Sequence, residues 1–157
     1  MAHTHHYSAT LIWTGAAEGP TKSYDAYSRE YRIEIPGKPP LTGSSDPTFR
    51  GDPALINPED MLVAALSSCH ALSYLALCAR AHLPVVAYRD EASGTMDMKD
   101  GRMRFVDVLL RPHVTIAAGA DLDKARALHH KAHEQCFIAN SVNFPVRNEP
   151  EISVAAG

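Results

Sequence analysis

The chain has 157 residues, a length that predicts a single domain spanning residues 1–157 around one hydrophobic core. Its 15 basic and 18 acidic residues give a formal net charge of -3, without an evident basic stripe. This balance argues against a nucleic-acid partner and against binding to an anionic membrane surface. A small or neutral partner fits the charge better.

The first third of the chain predicts two strands followed by a long loop. Tyr7 to Thr14 and Arg29 to Ile35 have the composition of β-strands and are expected to pair. Pro36 to Pro58 is rich in turn-forming residues and predicts a packed surface loop.

A strong helix start follows this loop. Asn57 is a suitable N-cap, Pro58 suits the first helical position, and the next two residues are acids that favour the positive end of a helix. Pro84 limits the helix to about Pro58 through His82.

This helix has no charged side chain from Met61 to Ala79, so it is long enough to span a bilayer. Polar residues cluster at its middle, however, and this indicates a buried core helix instead. These residues are Ser67, Ser68, Cys69, His70 and Ser73. A helix that is apolar nearly all round needs a second cover, and homodimerisation is the simplest way to supply one.

The second half of the chain predicts a β-hairpin, a helix and a final strand. Val85 to Met98 and Arg102 to Ile116 flank an Asp-Gly turn signal. Asp121 can cap a helix that ends near Gln135, and Phe144 to Val154 gives the last strand. The element order predicts an α+β domain whose antiparallel sheet packs on the long central helix.

Two cysteines stand out as candidates for chemistry. Cys69 lies about three turns into the long helix, and its predicted face, shared with Leu62, Leu66, Leu72, Ser73, Ala76 and Leu77, points into the core. Cys136 ends the second helix and is placed to resolve a sulfenic acid on Cys69 if the two helices cross there. Cys78 lies about half a turn around the helix axis from Cys69 and is predicted to be a core residue. Because the N-terminal sequence lacks the n-region and h-region of a signal peptide, we expect a cytoplasmic protein with reduced cysteines.

A buried thiol needs a nearby cation to ionise at neutral pH, and Cys69 lies beyond the reach of its helix dipole. Arg29 is the first candidate for that cation, and Glu59 for the carboxylate that orients it. The alternative is that Arg29 and Arg50 are solvated and that Glu59 only stabilises its helix N-terminus. Spacing alone does not decide between these readings.

Metal binding is a second alternative. His129, His133 and Cys136 fall on one helical face and would make a three-ligand zinc site. No other Cys/His cluster in the sequence supplies an obvious fourth ligand.

Several segments together resemble the OsmC-like branch of the OsmC/Ohr family of hydroperoxide reductases, and the resemblance covers nearly the whole chain. They are YSREYRIEI, DPTFRGDPALINPEDMLVAALSSCHALSYLALCAR, YRDEASGTM, RFVDVLLRPHVTI and QCFIANSV. By this resemblance the peroxidatic cysteine falls on Cys69, the resolving cysteine on Cys136 and the acidic partner on Glu59. The arginine falls on Arg29, with Arg50 as the alternative.

The resemblance implies an intertwined homodimer that reduces organic hydroperoxides at the expense of a dithiol, with no metal or other cofactor. An apolar pocket beside the leucine-rich helix would suit alkyl or fatty-acid peroxides. The SSCHALSYL segment departs from the Ohr branch, so its substrate preference and reductant are not carried over. A family member that binds small apolar ligands without peroxidase activity is the remaining alternative.

The spacing of Glu59 and Cys69 adds a geometric expectation. Ten residues along one helix separate the two by roughly 15 Å, too far for one small site. No Pro or Gly interrupts the helix between them. We therefore predict a site shared between subunits, in which Glu59 comes from the second chain.

Overall fold

A computed structural model describes residues 4–156. The chain divides into two compact units, one up to Met61 and one from Leu62 onward, and each is described by itself. Together they contain nine strands and two α-helices within the described residues, and this confirms the predicted α+β class.

The first unit contains an antiparallel sheet of β1 (Thr10–Ile12), β2 (Tyr31–Glu34) and β3 (Leu41–Gly43). The predicted pairing of the first two strands is confirmed, although both strands are shorter than predicted. The third strand corrects the prediction of an unbroken loop from residue 36 to residue 58. Gly43 is needed in it because a Cβ there would lie 2.5 Å from the Tyr31 hydroxyl oxygen.

Helix α1 (Pro58–Arg80) starts at the predicted residue. The Asn57 side chain accepts from the Asp60 amide at 2.8 Å, and the Asp60 carboxylate accepts from the Asn57 amide at 3.1 Å. This reciprocal pair satisfies two otherwise free amides at the helix N-terminus. The helix ends two residues before the predicted end, because His82 takes a left-handed conformation with φ 53°.

The second unit contains two three-stranded sheets rather than one. Strands β4 (Val85–Asp90), β7 (Pro112–Ile116) and β9 (Glu151–Val154) form one of them. Strands β5 (Ser93–Lys99), β6 (Arg102–Leu110) and β8 (Val146–Asn148) form the other. Each sheet joins an antiparallel pair from the predicted hairpin region to one parallel strand from the C-terminal segment.

The predicted Asp-Gly turn is confirmed between β5 and β6, where Asp100 and Gly101 both have positive φ. Helix α2 (Leu122–Gln135) is confirmed as well. The Asp121 side chain caps it by accepting from the Lys124 amide at 2.9 Å.

Within the second unit, α1 buries only one stripe, made of Leu66, His70, Tyr74 and Cys78. This corrects the predicted inward face, since Leu72 is 68% exposed and Ala76 is exposed as well. The buried stripe is rotated from the predicted face by about 100°, the angle of one residue. By length and composition α1 could also cross a membrane, a property shared by many core helices of soluble proteins. The second cover for its open side stays a prediction.

Candidate functional site

Cys69 and Cys136 come together in the second unit. The two thiols are neighbours, close enough for Cys69 to raise the pKa of Cys136, and all three cysteines of the chain are free. Cys69 is half-buried on α1, whereas Cys136 is 1% exposed at the C-cap of α2. The condition under which Cys136 could resolve a sulfenic acid on Cys69, that the two helices approach each other here, is therefore met.

Burial raises the pKa of the Cys136 thiol to about 11. Burial is the largest cause of this rise; the neighbouring Cys69 thiol also contributes to it, while the amides of Ala139 and Ile138 act in the opposite direction. The Ala139 amide lies 3.5 Å from the sulfur. Cys136 is therefore a protonated thiol at neutral pH, and Cys69 is the more accessible sulfur of the pair.

Cys78 lies in the core, as predicted. It is 1% exposed and packs with Tyr74, Leu83 and Ile116 in one hydrophobic cluster. Burial raises the pKa of its thiol. It is a small core side chain packed in the same cluster as Tyr74.

Arg29 lies in the first unit, where its own segment fixes the guanidinium. It donates to the carbonyl of Tyr27 at 2.6 Å and to the carbonyl of Tyr24. It also lies 3.8 Å from the Tyr27 ring centroid and 4.9 Å from that of Tyr24. These contacts hold a cation over two aromatic faces.

Arg50 lines the same cavity as Arg29, which has a volume of about 470 Å³. It forms an ion pair with Asp25 at 2.9 Å, and its side chain is 54% exposed. Because both arginines line one cavity of the first unit, the structure does not separate the two candidates. Arg29 is the more firmly held of the two.

Glu59 is half-buried in the first turn of α1. It lies near Tyr31, whose pKa is raised by burial and then by the charges of Glu59 and Asp60. Neither Arg29 nor Glu59 forms a salt bridge with another residue in the range 4–156. Glu59 thus does not form an ion pair with Arg29 of the same chain, and the catalytic role of Glu59 stays a prediction.

Of the three side chains proposed as zinc ligands, His129 and Cys136 have other neighbours. The Nδ1 atom of His129 lies 3.0 Å from the Nε2 atom of His70, and the His129 ring stacks on Tyr74 with centroids 3.7 Å apart. Cys136 faces Cys69. Across residues 4–156 no three His, Cys, Asp or Glu side chains converge as metal ligands would. The structure therefore gives the metal-binding alternative no support.

Sequence reasoning missed the buried pair of His70 and His129, which are 0% and 1% exposed. Burial lowers the pKa of His70 to about 4 and that of His129 to about 3. The charge of Asp90 opposes the shift of His70, whereas His133 adds to it. His70 and His130 add to the shift of His129. Both rings are therefore neutral at physiological pH.

We expect this pair to make the fold acid-sensitive. Unfolded histidines bind protons as the pH falls through 6.5, while the folded pair resists protonation until about pH 4 to 3. The contribution of this pair to the free energy of unfolding should be fully present above about pH 6.5. It should decrease by a few kcal/mol as the pH falls from about 6.5 towards the folded pKa values of about 4 and 3. Urea unfolding at fixed protein concentration, between about pH 7 and pH 4, measures the decrease.

The matched control is the double variant His70→Gln/His129→Asn, which keeps polar atoms near the paired nitrogens but does not titrate. Its free energy of unfolding should depend less steeply on pH. An equally steep decrease in this variant would place the acid sensitivity elsewhere.

A sequence profile described as OsmC-like protein matches residues 51–151, about two thirds of the chain. An OsmC-like protein of unknown function from Vibrio cholerae is similar in structure, with a TM-score of 0.86 and 33% identity over 94% of this chain and 100% of that one. The uncharacterised protein YmaD of Bacillus subtilis is 26% identical over 104 residues, which are 64% of this chain and 69% of YmaD.

Two more distant solved structures share the fold. An organic hydroperoxide resistance protein from Elizabethkingia anophelis has a TM-score of 0.70 and 18% identity, over 99% of this chain and 100% of its own. A putative organic hydroperoxide resistance protein from Vibrio cholerae, with captopril bound in one of its active sites, has a TM-score of 0.67 and 20% identity, over 98% and 94% of the two chains. The profile match and the 33% identity together place this chain in a family: it belongs to the OsmC-like proteins.

Proposed function

We propose that this protein is a cysteine-based peroxidase that reduces organic hydroperoxides to alcohols. The observation that carries the proposal is the proximity of the Cys69 and Cys136 thiols, which lie close enough for one to raise the pKa of the other. A reactive and a resolving cysteine have to be neighbours in this way before a disulfide can form between them. The organic hydroperoxide resistance proteins that share the fold support the same chemistry.

The roles of the two cysteines follow from their surroundings. The Cys69 thiolate attacks the distal oxygen of the hydroperoxide, and the O–O bond breaks. The alkoxide takes up a proton and leaves as an alcohol, while Cys69 is oxidised to a sulfenic acid. The Cys136 thiol then forms a disulfide with Cys69 and releases water. A dithiol reduces this disulfide in the reducing compartment that we expect for the chain, and is itself oxidised.

Exposed apolar side chains next to both cysteines favour an organic substrate over hydrogen peroxide. Leu72 follows Cys69 by three residues, so it is a neighbour on the helix surface, and it is 68% exposed. Phe137 directly follows Cys136 and is 80% exposed. An alkyl or aryl group on the peroxide would cover these side chains and remove apolar area from water.

Peroxide consumption with dithiothreitol as the reductant tests the proposal. The protein should consume cumene hydroperoxide catalytically and faster than hydrogen peroxide. A family member that only binds small apolar ligands would consume neither peroxide, and that result would refute the proposed peroxidase function.

Arg29 is proposed as the cation that favours the Cys69 thiolate. Arg29→Ala should then raise the pH at which Cys69 becomes reactive, because the thiolate loses its counter-charge. The rate of iodoacetamide alkylation of Cys69 as a function of pH reports this change. Arg50→Ala, at the same cavity, is the matched control and should shift the profile much less. The opposite pattern would move the role to Arg50.

Glu59 is proposed to act in the site of the second chain of a homodimer, since α1 runs unbroken between Glu59 and Cys69. Mixed heterodimers of Cys69→Ser and Glu59→Ala chains would then contain one site with both lesions and one with neither. Each heterodimer would have one intact site of two, so as subunits exchange its activity should reach about half of that of a wild-type dimer. Native mass spectrometry checks the exchange. Complete exchange without recovered activity would place both residues in the same chain's site or deny Glu59 a role.

A further inference from the structure

Helices α1 and α2 of the second unit are joined by a ladder of contacts. Its contacts are His70 with His129 and Tyr74 with Ala125 within the helices, and Cys69 with the C-cap Cys136 and Lys124 with Ala81, the residue after α1, at their ends. The α1 partner advances along the chain while the α2 partner goes back, so the two helices run antiparallel. The cysteine pair lies at one end of this ladder, and the histidine pair is the next contact.

Cys136 lies where α2 ends, and this makes its position depend on how the helix is docked. Its backbone is extended, with ψ 110°, and its amide donates to the carbonyl of His133 at 3.2 Å. A disulfide requires a sulfur–sulfur distance near 2.05 Å and Cα atoms within about 7 Å. Whether Cys136 can approach Cys69 this closely therefore depends on how α2 is docked against α1.

The imidazole pair supplies a directional contact beside the cysteines. A neutral imidazole has one N–H donor and one bare acceptor nitrogen, so one ring donates across the 3.0 Å contact and the other accepts. The outer nitrogens, His70 Nδ1 and His129 Nε2, are buried and have no hydrogen-bond partner among residues 4–156. The shared hydrogen bond is thus the polar contact of both rings, while stacking on Tyr74 also holds the plane of His129.

We propose that the His70–His129 hydrogen bond is a positioning element that keeps Cys136 within reach of Cys69 for the resolving step. The proposal rests on the peroxidase function above. His70 directly follows the reactive cysteine on α1, and His129 lies two turns before the resolving cysteine on α2. Both rings are buried, and their bond links the position of one helix to that of the other.

A crossed set of four variants tests the hydrogen bond separately from the packing of the rings. The amide of glutamine lies near the Nε2 position of histidine, and that of asparagine near Nδ1. His70 uses Nε2, so His70→Gln retains a partner atom while His70→Asn withdraws it. His129 uses Nδ1, so the order is reversed: His129→Asn retains the atom and His129→Gln withdraws it.

Each full-length, reduced variant is mixed with cumene hydroperoxide, and quenched samples are analysed by mass spectrometry for the Cys69–Cys136 disulfide and for Cys69 sulfinic acid. His70→Asn and His129→Gln should form the disulfide about ten-fold more slowly and accumulate sulfinic acid, because the sulfenic acid waits longer for Cys136. His70→Gln and His129→Asn should stay within about three-fold of wild type, since their bond is retained. His130→Asn, on the exposed side of α2, is the unchanged control.

A purely structural role for the rings would affect all four variants alike, and equal disulfide rates in the four would overturn the inference. If the variants at one histidine fail to fold, the comparison of the two variants at the other histidine is sufficient to test the inference. The first oxidation of Cys69 is read in the same samples. If the wild-type chain is not oxidised at all, the peroxidase function fails, and that outcome is distinct from failure of the positioning role.

Discussion

Replacing Cys69 by serine should abolish the turnover of organic hydroperoxides. A serine hydroxyl is not ionised at neutral pH, so the variant has no nucleophile to attack the O–O bond. We expect the rate of cumene hydroperoxide consumption to fall at least about a thousand-fold, to the level of the assay without protein. The fold should be retained, because Cys69 is only half-buried and serine is similar in size.

Cys78→Ser is the matched control in the same helix. Cys78 lies nine residues beyond Cys69, is buried in the core and contacts Tyr74. The substitution should leave turnover near the wild-type rate while decreasing the free energy of unfolding by about 1 to 2 kcal/mol, since it buries a hydroxyl. Full activity in Cys69→Ser, or loss of activity in Cys78→Ser with its fold intact, would refute the assignment of the reactive cysteine.

Replacing Cys136 by serine should restrict each chain to a single reaction. Cys69 would still be oxidised to a sulfenic acid, but no thiol would remain to form the disulfide. Dimedone should therefore label Cys69, and excess peroxide should convert it to sulfinic acid. Multiple turnover with dithiothreitol should decrease strongly, to the rate at which the external thiol reaches Cys69.

The same variant tests whether Cys78 can replace Cys136. We expect that it does not, because Cys78 is buried in the core with Tyr74. It also points to the opposite side of the helix axis from Cys69. A disulfide between Cys69 and Cys78, or the absence of any dimedone adduct, would show that the two-cysteine mechanism is wrong.

Local signals in the sequence predicted the ends of the helices well. Asn57 and Pro58 start α1, and Asp121 caps α2, because capping depends on residues that are neighbours in the chain. The prediction of which face of α1 is buried was wrong, because a helix that is apolar nearly all round offers no difference in polarity between its faces. The four-residue spacing of Leu66, His70, Tyr74 and Cys78 was the signal that could have identified it.

The sequence predicted the pairing of β1 with β2 and the turn between β5 and β6, but not the other strand partners. The apolar stretch from Arg102 to Ile116 was expected to be one strand, yet it is divided at Arg111 into strands of two different sheets. The final stretch is likewise divided at Glu149 and Pro150, and both of its strands pair in parallel. Such pairings join distant segments and depend on tertiary packing, which periodicity does not describe.

The candidate site shows the same division. The residue types and the family resemblance pointed to Cys69 and Cys136, and the structure brings their thiols together across 67 residues of sequence. The His70–His129 pair lay outside the sequence interpretation, because histidines so far apart in sequence carry no sign of their contact. Arg29 and Glu59 rest on the resemblance and stay predictions.

Thiol counting before and after one equivalent of cumene hydroperoxide, combined with peptide mapping, tests the central claim most directly. The reduced chain should start with three free thiols per subunit and finish with one, and the mapped disulfide should join Cys69 to Cys136. Three unchanged thiols, or a disulfide that leaves Cys136 free, would contradict it.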